Sequence, residues 1–245
     1  MKIFPDERID DLEFNNLKII QNKNFFCFGI DSVLISNFCT KNKSASNAVD
    51  IGSGSGIISI LIASKTKTKH IYGIEIQNEV AEMSKRSIEL NHLEDKIEIL
   101  NIDLKDATKY INPNSIDCVV TNPPYMKNGT GAKNENKQKV IARHEVETTL
   151  SEILNISYKL LKDRGEFFMI HRVDRLVDIL SEMRAQRLEP KEIQFVHPYV
   201  NKSPNLVMLR AVKNGGRELK VLDPLVVYKE DGNYTDEILK IYGKK

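Results

Sequence analysis

The tetrapeptide Asn122-Pro123-Pro124-Tyr125 lies where the apolar run Ile116–Val120 stops, and its residue types suit the recognition of a flat amino group. An Asn oxygen and a backbone carbonyl can accept the two N–H bonds of such a group, and a tyrosine ring can stack on its plane. Proline has no N–H to compete for these acceptors, and its fixed φ holds them in place before a substrate arrives. The tetrapeptide therefore predicts methylation of an amino nitrogen.

The chemistry of a conjugated amine explains these residue types. The lone pair of an amino group on a purine is delocalised into the ring, so the nitrogen is a poor nucleophile. Two acceptors, the Asn122 side chain and the Pro123 carbonyl, would favour a pyramidal nitrogen and stabilise the positive charge that develops during attack. The alternative is a simple turn after a strand, because Asn-Pro dipeptides commonly initiate turns. Tyr125 and the motif upstream favour the catalytic interpretation.

A glycine-rich segment predicts a nucleotide-like cofactor. Asp50-Ile51-Gly52-Ser53-Gly54-Ser55-Gly56 follows one predicted strand and opens the next helix. Glycines at this place let the backbone turn sharply and approach a ligand closely. The dinucleotide fingerprint requires a glycine where Ile57 stands, so the spacing argues against NAD. The acidic Asp50 would instead lie close to a positively charged amine or sulfonium.

Two further acids follow the next two predicted strands. Glu75 lies 19 positions after Gly56, where a carboxylate can accept both ribose hydroxyls. Asp103, just before Leu104, can accept a hydrogen bond from the exocyclic amine of an adenine. Each acid alone could be a solvated strand end, but together they describe ribose, adenine and a cationic amino acid. We therefore expect S-adenosylmethionine as the cofactor.

The composition predicts an ordinary globular protein. The 245 residues fit one large domain, with 41% hydrophobic residues, 29% charged residues and a net charge of +2. Cys27, Cys39 and Cys118 form no CxxC pair and the histidines are scattered, which argues against a disulfide framework or a metal site. No signal-like or membrane-spanning apolar run is found, so we expect a cytoplasmic protein with no membrane contact. The sequence does not distinguish a monomer from a weak dimer.

Short apolar runs alternate with amphipathic stretches from about residue 47 onward. The predicted strands are Ala48–Ile51, His70–Ile76, Lys96–Asn101, Ile116–Thr121, Gly165–His171, Glu192–Val196 and Leu206–Val212. The predicted helices are Ile57–Ser64, Glu79–Leu90, Leu150–Leu161 and Arg175–Arg187. Repeated βα units imply an α/β fold with a mostly parallel sheet, which binds ligands at the carboxyl ends of its strands. Asn122 lies at one such end.

The flanking segments predict additional elements. Residues 19–21 and 25–28 surround Asn22-Lys23-Asn24, a pattern that predicts a hairpin. Asp31 precedes an apolar helical pattern and is a candidate N-cap. After the sheet, residues 224–228 predict a strand and residues 235–242 a short helix.

These motifs resemble those of the class I, Rossmann-like methyltransferases whose signature is (Asn/Asp/Ser)-Pro-Pro-(Tyr/Phe/Trp). More specifically, the chain resembles the bacterial tRNA adenine-N6 methyltransferases that modify the adenosine 3′ of the anticodon in valine tRNA. The resemblance extends over nearly the whole chain. It includes Glu7-Arg8-Ile9-Asp10-Asp11-Leu12, Ile20-Gln21, Phe28-Gly29-Ile30-Asp31, Ala142-Arg143-His144-Glu145 and Pro224-Leu225-Val226-Val227-Tyr228.

The resemblance implies a single methyltransferase domain with a seven-stranded, mostly parallel sheet and an antiparallel final hairpin. Residues 1–46 would form a short lid, residues 47–212 the core and residues 213–245 an extension. The implied cofactor-binding residues are Asp31, Asp50, Gly52, Ser53, Gly54, Gly56, Glu75, Asp103, Leu104 and Asn122. The implied catalytic residues are Asn122, Pro123, Pro124 and Tyr125, with no metal.

Three other functions compete with this interpretation. Glutamine methylation of release factors uses the same tetrapeptide, but those enzymes carry a larger helical N-terminal domain than the roughly 46 residues that precede the first core strand here. Guanine-N2 methylation of ribosomal RNA is a further alternative, because its pocket motif overlaps. A non-catalytic RNA-binding protein with a vestigial fold would not need Asp50, Glu75, Asp103 and Asn122 together.

The segment after the tetrapeptide is basic and predicts contacts with tRNA phosphates. Five basic residues accompany a single acid there: Lys127, Lys133, Lys137, Lys139 and Arg143. A long polar loop beside an active site is typical of a functional or a disordered segment. A stacked anticodon-loop base would have to be flipped into the pocket, and stacking on Tyr125 would offset part of that cost.

Replacing Lys133, Lys137 and Lys139 together by alanine should weaken tRNA binding. Each phosphate contact releases counterions from the RNA on binding, so fewer counterions are released when the contacts are lost. The slope of log affinity against log salt concentration should therefore become shallower by about 2 for the three residues. Filter-binding titrations of tRNA at several salt concentrations measure this slope. An unchanged slope would exclude phosphate contacts by these lysines.

Overall fold

The computed structural model describes residues 2–25, 27–40, 45–124 and 148–244. The strands in these ranges are β1 (Glu7–Asp11), β2 (Lys18–Asn22), β3 (Asn47–Ile51), β4 (His70–Ile74), β5 (Ile97–Leu100), β6 (Ile116–Thr121), β7 (Leu161–Arg172), β8 (Leu188–Tyr199), β9 (Leu206–Lys213), β10 (Lys220–Val221) and β11 (Leu225–Tyr228). The α-helices are α1 (Ile30–Cys39), α2 (Ile57–Lys65), α3 (Asn78–Leu90), α4 (Ala107–Tyr110), α5 (Leu150–Leu160), α6 (Leu176–Ala185) and α7 (Asp236–Ile241). Short 3₁₀ turns cover Leu104–Asp106 and Val173–Arg175.

Strands β3 to β11 form one mixed sheet. Its order is β10-β8-β9-β7-β6-β3-β4-β5, and β11 also pairs with β8. All neighbouring pairs are parallel except those of β9, which runs antiparallel to both β7 and β8. The predicted seven-stranded sheet with an antiparallel final hairpin is confirmed, and the short strands β10 and β11 extend it beyond β8.

Helices cover both faces of the sheet and enclose two large apolar cores, and a smaller apolar cluster lies between β2 and α3. One core contains α1, α2 and α7, and the other contains α4, α5 and α6. Neighbouring residues of the central strands alternate between the cores, as Val119 and Val120 or Phe167 and Phe168 do, and all four are fully buried. Burial on both faces explains why these strands are continuous apolar runs in the sequence. Within the described ranges, every helix is too short or too polar to cross a membrane.

The predicted hairpin at residues 19–28 is wrong. Strand β2 pairs antiparallel with β1, so its partner precedes it in the chain. The turn after β2 does form, because the Asn22 side chain accepts a hydrogen bond from the Asn24 N–H at 2.9 Å. Beyond the turn, however, Phe25 packs against the small cluster between β2 and α3, and Phe28 packs against the core that contains α1. The described residues 25, 27 and 28 are not in a strand.

The predicted N-cap of α1 is also wrong. The helix begins at Ile30 and its N-cap is Gly29, whose backbone is extended. Asp31 lies in the first turn, where a negative charge interacts favourably with the partial positive charge of the helix N-terminus. Its Oδ1 accepts the Ser32 N–H at 3.0 Å, so Asp31 still satisfies a backbone donor of the first turn.

The β1–β2 hairpin is fixed to α3 by polar side chains. The Asn91 amide pairs with both backbone groups of Lys18, at 2.9 and 2.7 Å, and so acts like a neighbouring strand. Ser87 Oγ accepts the Ile20 N–H at 3.0 Å. The Arg86 guanidinium forms two hydrogen bonds of 2.6 Å with the Glu7 carboxylate, whose side chain is only 4% exposed. This pair ties the N-terminal strand to the core.

Replacing Arg86 by alanine should lower the free energy of unfolding by about 3 kcal/mol, because the buried Glu7 carboxylate then lacks its counter-charge. The hydrogen bonds from Arg86 hold the pKa of Glu7 below its usual value. The stabilisation is therefore present above the usual glutamate pKa and is lost as the pH falls through the lowered one. Urea denaturation at pH 7 and pH 3 measures both effects.

The matched control is Lys85→Ala, because Lys85 forms an exposed ion pair with Glu82 on the same helix. Its loss should change the free energy of unfolding by less than about 0.5 kcal/mol. Equal effects of the two substitutions would show that the Glu7 pair adds nothing beyond a surface contact.

Candidate active site

Four neighbouring parallel strands end at one edge of the sheet and bring the candidate residues together. Ile51 of β3 pairs with Ile74 of β4 and with Thr121 of β6, and Ile74 pairs with Leu100 of β5. The Thr121 hydroxyl also donates to the Ile51 carbonyl at 3.0 Å. The segments that follow these strands therefore begin at the same height. They contain the glycine loop, Glu75, Asp103 and Asn122.

The glycine loop between β3 and α2 borders open space. Gly52, Gly54 and Gly56 have φ values of +71°, +55° and +85°, which strongly favour glycine. A Cβ atom added to Gly52 or Gly54 would meet no atom within 4 Å, whereas one at Gly56 would come 2.4 Å from Ser84 Oγ of α3. Gly56 is thus required for packing, and Gly52 and Gly54 leave room for a ligand to approach the backbone.

Asp50 is a fully buried acid beneath this loop. Its Oδ2 accepts the Ser59 hydroxyl at 2.8 Å, while Oδ1 has no hydrogen-bond partner among the described residues. Burial raises the pKa of Asp50 to about 7; the Ser59 hydrogen bonds oppose this shift and the nearby Glu75 charge adds to it. A cationic neighbour would stabilise the charged form of a carboxylate that is buried in this way. Ser53 Oγ is likewise buried without a partner in the described ranges.

Glu75 connects the end of β4 to the glycine loop. Its carboxylate accepts the Gly54 N–H at 3.0 Å and the Gln77 N–H at 2.9 Å, and the residue is 6% exposed. Asn101 donates to the carbonyls of Glu75 and Ile76 at 2.9 and 3.1 Å. These bonds hold the Glu75 carboxylate rigidly beside the space above the loop, where a carboxylate can accept further hydrogen bonds.

The segment after β5 presents Asp103. This residue is half-buried and caps the following 3₁₀ turn by accepting the Lys105 N–H at 2.9 Å. Leu104 is 5% exposed and belongs to the core on the α5 side, so its side chain anchors the turn in the core. This anchoring fixes the height of Asp103 at the sheet edge.

Asn122 contacts the first turn of α1. Its Nδ2 donates to Ser32 Oγ at 3.2 Å, and Ser32 is bonded through its own N–H to the buried Asp31. The fold therefore brings the first turn of α1 to Asn122, although 90 residues separate Ser32 from Asn122 in the chain. Pro123 is half-buried and Pro124 is exposed. Sequence reasoning missed Ser32, whose only signal was its place next to Asp31 in a helix start.

Six predicted site residues lie outside the described residues: Tyr125, Lys127, Lys133, Lys137, Lys139 and Arg143. Within the described ranges, no group of three or more His, Cys, Asp or Glu side chains is arranged to hold a metal ion. The described site therefore consists of the glycine loop, buried acids and the Asn-Pro-Pro segment.

This donor set fits S-adenosylmethionine. The unmatched Asp50 oxygen suits a cationic group, and the open space at Gly52 and Gly54 suits a ligand that approaches the backbone closely. Glu75 and Asp103 are acceptors at the next two strand ends, where ribose hydroxyls and an adenine amine would find partners. Sheet order and site together define a class I, Rossmann-like methyltransferase.

Solved structures share this fold at low sequence identity. A predicted O-methyltransferase from Agrobacterium tumefaciens has a TM-score of 0.70 and 18% identity, covering 87% of this chain and 95% of that one. The structure of M. jannaschii TYW2 in complex with AdoMet has a TM-score of 0.58 and 16% identity, covering 87% and 89%. These likenesses support the class I methyltransferase fold.

The family model named Methyltransferase small domain matches residues 16–183, and the protein belongs to this family. The chain is also 25% identical to a protein of Porphyromonas gingivalis strain ATCC 33277, covering 95% of this chain and 93% of that one. It is 26% identical to a protein of Phocaeicola vulgatus, covering 87% of each. Both relatives are named tRNA1(Val) (adenine(37)-N6)-methyltransferase.

Replacing Gly54 by alanine should weaken binding of S-adenosylmethionine at least tenfold, because the new methyl group enters the open space over the loop. Gly232→Ala is the matched control: Gly232 also has a positive φ, of +84°, with no atom within 4 Å of an added Cβ. Both substitutions should cost about 1 kcal/mol of stability. Calorimetric titration should show weakened binding for Gly54→Ala alone; equal affinities would place the cofactor elsewhere.

Proposed function

We propose that this protein transfers a methyl group from S-adenosylmethionine to N6 of an adenosine in tRNA, namely the adenosine 3′ of the anticodon in valine tRNA. The observation that carries the proposal is the position of Asn122-Pro123, at the strand end next to the glycine loop and its acids. Two curated relatives that match most of the chain bear the corresponding name, which supports tRNA as the substrate.

The chain would hold the cofactor through the strand-end residues. Asp50 offers a negative charge, Glu75 and Asp103 offer acceptors, and Gly52 and Gly54 allow close approach. When bound, S-adenosylmethionine would supply a methyl group on a sulfonium, whose sulfur is a good leaving group because it departs as a neutral thioether. No metal or covalent enzyme intermediate is needed for this displacement.

Asn122 and Pro123 would activate the adenine amine. The Asn122 Oδ1 and the Pro123 carbonyl accept its two N–H bonds, which concentrates the lone pair on the nitrogen as the N–C bond forms and the S–C bond breaks. The positive charge on the attacking nitrogen is stabilised by the same two acceptors, and one proton then leaves to solvent. Tyr125 would stack on the flipped base, and the basic segment 127–143 would contact the phosphates.

Replacing Asn122 by alanine should lower turnover of tRNA methylation by about 10²-fold, because one of the two oriented acceptors is lost. Asn112→Ala is the control, since Asn112 is exposed in the turn before the same strand. Transfer of tritium from labelled S-adenosylmethionine to tRNA measures both rates. Near-normal turnover in Asn122→Ala would contradict the role of Asn122 in activating the amine.

The substrate itself is tested by nucleoside mass spectrometry of tRNA from cells that lack this protein. Loss of N6-methyladenosine from valine tRNA, restored by the wild type and not by Asn122→Ala, is the expected result. Unchanged tRNA with unmethylated release-factor glutamine or ribosomal guanine would instead assign one of the competing activities. Absence of any binding of S-adenosylmethionine in calorimetry would favour a non-catalytic RNA-binding protein.

A further inference from the structure

An acceptor on a side chain activates an amine only when that side chain is held still. Asn122 has two rotatable side-chain bonds, and rotation about the second exchanges its oxygen and its NH₂ group. The proposed chemistry requires the oxygen at the amine, because an NH₂ group there would oppose the substrate N–H bonds. Turnover therefore depends on what orients the amide, and catalytic rates are sensitive to displacements of about 1 Å.

Ser32 contacts the NH₂ end of the Asn122 side chain. Its Oγ accepts from Asn122 Nδ2 at 3.2 Å, so this bond directs the Nδ2 end of the amide toward α1. Ser32 is 4% exposed, which shields the bond from competing water. The Ser32 backbone is fixed in turn, because its N–H donates to Asp31 Oδ1 at 3.0 Å.

Helix α1 is a rigid support for this hydroxyl. Its residues Val33, Leu34, Ile35 and Phe38 are nearly or fully buried against the sheet. The Phe38 ring packs edge-on against Phe168 of β7, with ring centroids 5.9 Å apart. A helix seated in this way cannot shift without opening the core, so the position of the Ser32 hydroxyl is determined by packing.

We propose that Ser32 is a positioning residue for methyl transfer, which acts by holding the Asn122 amide in the orientation that the amine requires. The inference rests on the function proposed above. Ser32 does not contact the substrate in this scheme. Its hydroxyl, which is fixed on α1, holds the Asn122 side chain at the end of β6 through a hydrogen bond. The N-terminal helix thereby becomes part of the active site, although the reacting groups lie on the sheet.

Kinetics of Ser32→Ala test the proposal. We expect turnover to fall about tenfold, the effect of losing one orienting hydrogen bond, while the affinity for S-adenosylmethionine stays within about twofold. Ser32→Thr keeps a hydroxyl at the same position and should restore turnover to within about threefold of the wild type. Restored turnover in Ser32→Thr would show that the loss in Ser32→Ala comes from the missing hydroxyl and not from altered packing of the site.

Ser36→Ala is the matched control. Ser36 lies one turn later in α1, is fully buried, and its hydroxyl donates to the Val33 carbonyl at 2.8 Å. The Ser36→Ala substitution therefore removes a buried hydroxyl from the same helix and leaves the hydrogen bond to Asn122 intact. Its turnover should match the wild type, and an equal loss in Ser36→Ala and Ser32→Ala would reduce the Ser32 effect to helix stability.

A double-mutant cycle shows whether Ser32 acts through Asn122. Ser32→Ala should cost nothing further in an Asn122→Ala background, whereas independent action would multiply the losses to about 10³-fold. Multiplied losses, or normal turnover of Ser32→Ala alone, would overturn the proposal. A wild type that methylates no tRNA would count against the proposed function instead.

An activity-independent measurement completes the test. The side-chain NH₂ resonances of Asn122, assigned by their loss in Asn122→Ala, should be protected from solvent exchange in the wild type. Exchange should become faster in Ser32→Ala and stay unchanged in Ser36→Ala. Unprotected resonances in the wild type would show that the hydrogen bond does not persist in solution and would overturn the proposal.

Discussion

The parallel register of β4, β3 and β6 is the constraint on which the site depends. Ile74, Ile51 and Thr121 are neighbours across these strands, and the Thr121 hydroxyl bonded to the Ile51 carbonyl fixes the height at which two of them end. A slip of one residue would turn every buried side chain of a strand to the other face. Because the side chains on both faces fit closely packed cores, such a slip would misplace them and is opposed, so the strand-end residues are held in fixed relative positions.

The polar groups at this edge form hydrogen bonds within the site. Glu75 accepts the backbone N–H of Gly54, so the acid after one strand also shapes the loop after its neighbour. Asp50 is buried beneath that loop with a raised pKa, and its charge is therefore costly in the absence of a cation. A cationic neighbour would offset this cost.

Several elements were predictable because local chemistry and burial agree. The βα alternation, the strand before the Asn-Pro-Pro segment and the glycine loop all follow from apolar periodicity and from residues with unusual backbone requirements. The hairpin at residues 19–28 was not predictable by the same rules. Its two apolar flanks suggested paired strands, but Phe25 and Phe28 pack against two different apolar clusters instead.

The sequence by itself determined the chemistry of the site: an Asn-Pro-Pro segment at a strand end, a glycine loop with an acid beneath it, and acids after the next two strands. It also determined the parallel sheet, since strands that are apolar throughout must be covered on both faces. Only the tertiary structure decided that the first turn of α1 meets Asn122, that Gly56 is needed for packing against Ser84, and that β1 is the partner of β2. These contacts join residues far apart in the chain, and their formation depends on how whole helices pack on the sheet, which no local pattern specifies.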